Sequence, residues 1–184
     1  MIVGVGGQGT LLASKILGKL LVDEGYDVKV SEVHGMSQRG GSVVTYVRYG
    51  DHVYSPMVMD GEADIIIAFE KIEAARWLSN LKKDGVIVVN TQQVDPMPVI
   101  TGAAEYPAGV LDEITAAGAK VDAFDALSLA TEAGSTKAVN IVLMGRAAKY
   151  FDIPFEKWIE VISATVAPKF VEMNTKAFTL GYNA

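Results

Sequence analysis

Apolar positions along the chain follow two rhythms. Short β-branched runs read as strands: Met1 to Val5, Asp27 to Val33, Ser42 to Tyr49, Ala63 to Phe69 (ADIIIAF), Gly85 to Val89 (GVIVV) and Lys120 to Ala123. Elsewhere the spacing lengthens. From Gln8 to Glu24, Leu12, Ile16 and Leu20 recur every fourth residue, broadened by Leu17 and Leu21, and Gly25 ends the pattern, so a helix is predicted there. Ile72 to Leu81 predicts another, which joins two buried strands as a βαβ unit and therefore predicts parallel pairing. A shorter helix falls within Val110 to Gly118. The C-terminal third is helical: Ser135 or Thr136 caps a helix to about Tyr150, Asp152 and Pro154 open one ending before Pro168, and Pro168 opens a last one stopped at Gly181. The expected fold class is α/β and Rossmann-like, a mostly parallel sheet flanked by helices with a helical C-terminal third. The first two strands are expected to be neighbours. With neither a Pro/Ser/Gly linker nor a repeat of fixed period, residues 1–184 are expected to form a single domain.

Composition narrows the function classes. Half of the residues are hydrophobic, yet no apolar run reaches the ~18 residues of a membrane span, so no membrane partner is expected. A net charge of −6 argues against a nucleic-acid partner, because such a surface needs cations to neutralise phosphates. The absence of cysteine excludes a disulfide framework, a thiol nucleophile and an iron–sulfur cluster held by this chain. No metal site is expected either, since His34 has no second His at ligand spacing and His52 is isolated. The N-terminus enters a glycine loop without a basic segment or cleavage site, and a cytoplasmic location is expected.

Two segments carry chemistry. The first, GVGGQG, satisfies G-x-G-x-x-G with Gly4, Gly6 and Gly9 between a strand and a helix, a context in which backbone amides can converge on an anion at a helix N-terminus. Glu32, at the end of the second strand, sits where a ribose-binding acid would stand, so the motif alone reads as an NAD-binding dehydrogenase site. It is equally compatible with a tight turn that binds nothing, as in a ligand-free assembly module. The second segment weighs against the dehydrogenase: where a helical crossover is required, EVHGMSQRGG passes directly into a strand. It places Glu32, His34, Ser37, Gln38 and Arg39 before Gly40 and Gly41, a density of polar side chains that a mere connection does not need.

GVGGQGT at Gly4 to Thr10, EVHGMSQRGG at Glu32 to Gly41, the mid-helix Asn140 and NTKAFTLGY at Asn174 to Tyr182 together resemble the gamma-type subunit of 2-oxoacid:ferredoxin oxidoreductases, with the indolepyruvate (arylpyruvate) branch most similar. The first strand carries fewer residues before the glycine loop than is usual in that family. The resemblance implies oxidative decarboxylation of a 2-oxoacid to an acyl-CoA, with thiamine diphosphate and Mg, and 4Fe-4S clusters passing electrons to ferredoxin. The chain has neither a thiamine-diphosphate metal motif nor cysteine, so these groups are expected on a larger partner subunit, with this chain inactive alone and part of a two-fold hetero-oligomer. Its own expected role concerns coenzyme A. Amides of Gly6, Gly7 and Gly9 could hold a phosphate, with Gly4 shaping the turn and Gln8 and Thr10 supplying side-chain donors. Ser37, Gln38, Gly40 and Gly41 belong to the same expected site, and Arg39 suits bidentate binding of phosphate or carboxylate. Glu32, His34 and Arg39 are candidates for a catalytic role, although core or interface hydrogen bonding is the simpler account of Glu32 and His34. Asn140, set among Val139, Ile141 and Val142, is expected to be buried and hydrogen-bonded, and Trp77 and Trp158 to anchor a core or an interface.

Overall fold

The structure, a computed structural model, describes residues 1–32 and 39–184. Six strands, β1 (Ile2–Val5), β2 (Asp27–Glu32), β3 (Ser42–Gly50), β4 (Ala63–Ala68), β5 (Leu81–Asn90) and β6 (Lys120–Phe124), form one sheet in the order β2-β3-β1-β4-β5-β6. Pairing is parallel from β1 through β4 and β5 to β6, with Ile2 opposite Ile67, Ile66 opposite Ile87 and Val88 opposite Asp122. It is antiparallel where β3 meets β1, Val3 opposite Val44, and β2, Lys29 opposite Arg48.

The first two strands are therefore not neighbours, because β3 lies between them. Only residues 33–41 join β2 to β3, and the chain returns antiparallel, along the free edge of β1. Patterning explains which strand goes inside: Val43, Val44 and Thr45 are buried in succession, whereas β2 (DVKVSE) has only partial cover and leaves Val30 exposed. A strand with one apolar stripe suits an edge, and one buried on both faces does not. Two reversals of direction restore β2 to the sense of β1, so Glu32 and Val5 still end at the same edge of the sheet.

Alternation along the central strands feeds two cores. Ile67, Val86 and Val88 face a helical layer made of α1 (Thr10–Asp23) together with the C-terminal helices, while Ile66, Ile87 and Val89 face α2 (Lys71–Arg76) and, beyond the short α3 (Met97–Ile100), α4 (Val110–Ala116). The predicted helix over Ile72 to Leu81 ends at Arg76. A 3₁₀ turn at Leu78–Asn80 follows, and Leu81 already belongs to β5.

The C-terminal layer contains α5 (Ala126–Ala133), α6 (Val139–Ala148), α7 (Phe155–Thr165) and α8 (Val171–Asn183). The sequence reading lacks α5, which the Asp125 side chain caps by accepting from the Ser128 amide at 3.0 Å. Ser135 caps as expected, accepting from Lys137 N at the head of a 3₁₀ turn that leads into α6. Gly181 does not stop the last helix; α8 runs through it to Asn183. Its missing side chain serves packing instead. A Cβ on Gly181 would lie 1.9 Å from the Val142 carbonyl oxygen, and one on Gly145 would lie 2.2 Å from that of Phe178, so α6 and α8 touch backbone to backbone. Trp158 is fully buried and stacked on Phe178 at 5.7 Å between ring centres, a core anchor as expected. No helix among the described residues is long and apolar enough to cross a membrane.

Candidate functional site

The glycine turn joins β1 to α1 at the carboxyl edge of the parallel strands, where open α/β sheets place ligands. Gly7 (φ +100°) and Gly9 (φ +89°) hold left-handed conformations that side chains disfavour. Gly4 and Gly9 meet close neighbours. A Cβ on Gly4 would come within 2.8 Å of Gln8 Oε1 and 2.9 Å of Phe69 Cβ, and one on Gly9 within 2.7 Å of Asn140 Nδ2. The turn is braced from within by Gln8, whose Oε1 accepts from Val5 N at 2.7 Å and whose Nε2 donates to the Phe69 carbonyl at 3.4 Å. Gln8 is thus spent on the turn itself, and a side chain so engaged has little left for a ligand. Asn140, buried on α6, donates to the Gly9 carbonyl at 3.2 Å, and its Oδ1 accepts from Ile141 N at 2.9 Å. Its expected packing role therefore falls directly beneath the turn.

The amides divide into used and unused. Gly6 N donates to the Gly41 carbonyl at 2.8 Å and Gln8 N to Val5 at 3.2 Å, whereas those of Gly7, Gly9, Thr10 and Leu11 have no hydrogen-bond acceptor among the described residues. Helix α1 also starts without a side-chain cap. The first amides of a helix with no internal partner are the groups that bind anions. They border a cavity of about 260 Å³ lined by Gly6, Gly7, Gly9, Thr10 and Leu11 on one side and by Val43, Val44 and Thr45 of β3 on the other.

The hydrogen bond from Gly6 to Gly41 also joins the two sequence motifs. Gly40 turns in a left-handed conformation (φ +95°), and the exposed Arg39 precedes it. His34, Ser37 and Gln38 lie outside the described residues. Glu32 reaches the same edge, but its carboxylate accepts from the Ser14 hydroxyl of α1 at 2.5 Å, and β3 separates it from β1. This is the internal hydrogen bonding weighed against a catalytic or ribose-binding role.

Sequence reasoning missed a second polar cluster, on the opposite face of the sheet. Glu70, 1% exposed, follows β4 and caps α2, its Oε2 accepting from Ile72 N at 2.6 Å and Glu73 N at 3.2 Å. Its Oε1 accepts from Val94 N at 3.2 Å and from the Tyr106 hydroxyl. Burial first, and then the bond to Glu70, raise the Tyr106 pKa above the usual phenol value. Glu73, also buried, accepts from Arg76 Nε at 3.1 Å and from the Ser42 hydroxyl. Two glutamates three residues apart at the end of a buried strand carry a capping signal; nothing in the sequence joins them to Ser42 or Tyr106. Trp77 packs edge-to-face on Tyr46 at 6.4 Å between ring centres, but its buried indole N–H has no acceptor among the described residues. No group of three His, Cys, Asp or Glu side chains among those residues is placed to share a metal.

Comparison with known proteins places this geometry in context. The sequence profile of the pyruvate ferredoxin/flavodoxin oxidoreductase family matches residues 1–184. Indolepyruvate oxidoreductase subunit IorB of Thermococcus kodakarensis is 45% identical over 191 residues, covering 100% of this chain and 94% of that protein. Among solved structures, the gamma subunit of a keto/oxoacid ferredoxin oxidoreductase from Geobacter sulfurreducens PCA superposes with a TM-score of 0.72 over 99% of this chain and 94% of its own, at 22% identity. The 2-oxoglutarate:ferredoxin oxidoreductase of Magnetococcus marinus, solved with 2-oxoglutarate, coenzyme A and succinyl-CoA bound, contains the same fold with a TM-score of 0.67 at 21% identity, over 99% of this chain and 30% of its own. At those identities the two structures bear on fold alone.

Proposed function

The chain belongs to the pyruvate ferredoxin/flavodoxin oxidoreductase family, and from that premise we propose that it is the gamma-type, cluster-free subunit of a cytoplasmic 2-oxoacid:ferredoxin oxidoreductase of the indolepyruvate type, with residues 1–184 acting as one domain. Thiamine diphosphate, Mg and the 4Fe-4S clusters reside on a larger partner subunit, which passes electrons to ferredoxin. The donor set here does not suit the clusters, because the chain has no cysteine. It does suit the phosphates of coenzyme A. The amides of Gly7, Gly9, Thr10 and Leu11, without an acceptor among the described residues, meet one phosphate at the head of α1, and Arg39 adds the local cation that an anion needs near a molecule of net charge −6.

One observation supports this reading: the hydrogen bond from Gly6 to Gly41 ties the segment that contains Arg39 to the glycine turn before α1, a helix that starts without a side-chain cap. The NAD dehydrogenase has less support, because Glu32 is engaged by Ser14 and β3 replaces the helical crossover. Steady-state assay of the complex reconstituted with its larger subunit tests the proposal. Arg39→Ala is expected to lower ferredoxin reduction by roughly 10²-fold, as loss of a positioning clamp does, and Arg39→Lys to restore little. Full activity of Arg39→Ala with assembly intact overturns the assignment of the coenzyme A contact. Loss of assembly reassigns the segment to the subunit interface.

A further inference from the structure

We propose that Glu73 is a positioning residue for coenzyme A, an inference that rests on the phosphate site just described. Glu73 is charged yet only 4% exposed. Its Oε1 accepts from Arg76 Nε at 3.1 Å, and its Oε2 takes the hydroxyl of Ser42, the first residue of β3. Ser42 pairs with Val5 at the end of β1, and Gly41 beside it accepts the Gly6 amide. The peptide where the glycine turn and the Arg39 segment meet is thus clamped twice, by a backbone hydrogen bond at Gly41 and by a buried carboxylate at Ser42. Glu73 does not line the cavity, so its effect on a ligand there passes through Ser42.

Local structure accounts for part of this carboxylate, which stands in the first turn of α2 and pairs with Arg76 three residues on, but neither feature requires the bond to Ser42. Glu70 already caps α2, and its own oxygens are filled by Ile72, Glu73, Val94 and Tyr106. An apolar side chain would fill the place of Glu73 at no cost in desolvated charge, whereas a buried carboxylate is tolerated only when hydrogen-bonded. Its specific consequence is to fix the direction in which the chain leaves Gly41 toward Arg39.

The experiment measures KM for coenzyme A, KM for indolepyruvate and kcat in the reconstituted complex. Glu73→Gln and Ser42→Ala are each expected to raise the coenzyme A KM about tenfold, the order of one charge-assisted hydrogen bond, with the indolepyruvate KM unchanged. Ser42→Thr, which keeps the hydroxyl, is expected to retain most of the affinity. In an Arg39→Ala background, Glu73→Gln should add less than twofold, because residues acting through one contact are not additive. An unchanged coenzyme A KM in both Glu73→Gln and Ser42→Ala overturns the proposal, as does a parallel rise in both KM values or full additivity with Arg39→Ala. If Arg39→Ala itself leaves the coenzyme A KM unchanged, the phosphate site fails first and this inference with it. A strong Arg39→Ala effect beside a silent Glu73→Gln removes only the latter.

Discussion

Gly7 and Gly9 share a left-handed backbone and differ in what surrounds them, so their substitution separates two kinds of cost. A Cβ on Gly7 meets nothing within 4 Å, whereas one on Gly9 would sit 2.7 Å from the Asn140 amide. Gly7→Ala should therefore cost only backbone strain, about 1 kcal/mol, and Gly9→Ala that strain plus displacement of Asn140, about 3 kcal/mol in all, read from denaturant unfolding of the isolated chain. Equal costs would mean that Asn140 yields freely. A second side chain sets acid sensitivity. Asp122 on β6 accepts from Arg146 Nε at 2.7 Å and from the Tyr150 hydroxyl at 2.6 Å. Burial opposes its charge, but these two hydrogen bonds and the guanidinium charge hold its carboxyl below the usual carboxylate range, while burial and the bond to Asp122 push Tyr150 up to about 12. A carboxyl whose pKa is lowered on folding stabilises the protein above its unfolded value near 3.9 and loses that contribution as pH falls through the folded value. Asp122→Asn should thus cost about 2 kcal/mol at pH 7 and flatten the decline in melting temperature between pH 5 and pH 3. A variant with the wild-type pH profile would contradict this.

Helices α6 and α8 meet through Gly145 and Gly181, and this contact closes the C-terminal layer over Trp158 and Phe178. Because the obstacle at each glycine is backbone, neither neighbour can move aside as a flexible side chain would. Gly145→Ala and Gly181→Ala are each expected to cost about 3 kcal/mol or more. Gly18 in α1 provides the contrast. A Cβ there would lie 3.5 Å from Val30 Cγ2, an ordinary contact, so Gly18→Ala should be neutral or stabilise by about 0.5–1 kcal/mol through helix propensity. Thermal unfolding of the three variants checks the ordering, which reverses if α6 and α8 can slide apart without loss.

The molecule as a whole has two apolar cores, yet Tyr54 (96% exposed), Met57 and Met59 remain open on the connection between β3 and β4. Under the proposed function the isolated chain is colourless and redox-silent, since a chain without cysteine cannot hold a 4Fe-4S cluster. Visible absorbance and an iron assay check this: the purified single chain is expected to show neither absorbance nor iron, and the complex with its larger subunit both. Iron retained by the single chain would overturn the division of labour between subunits.

Pattern alone determines most of the elements. Five-residue apolar runs, fourfold leucine and isoleucine spacing, and a capping serine act over a few residues, so β4, the core of β5, α1 and the serine cap of the 3₁₀ turn ahead of α6 are legible without coordinates. The glycine motif and the Arg39 segment are legible for the same reason, as unusual local composition. Order in space is different. That β3 enters between β1 and β2 depends on which edge of β1 remains free, that Gly181 packs rather than terminates depends on Val142 in another helix, and that Ser42 meets Glu73 depends on where α2 packs against the sheet that holds β3. Glu32 shows the limit most directly. Its place at a strand end is written in the periodicity, but whether it faces a ribose or Ser14 is set by the strand that intervenes, because a carboxylate takes the nearest donor that the packing supplies.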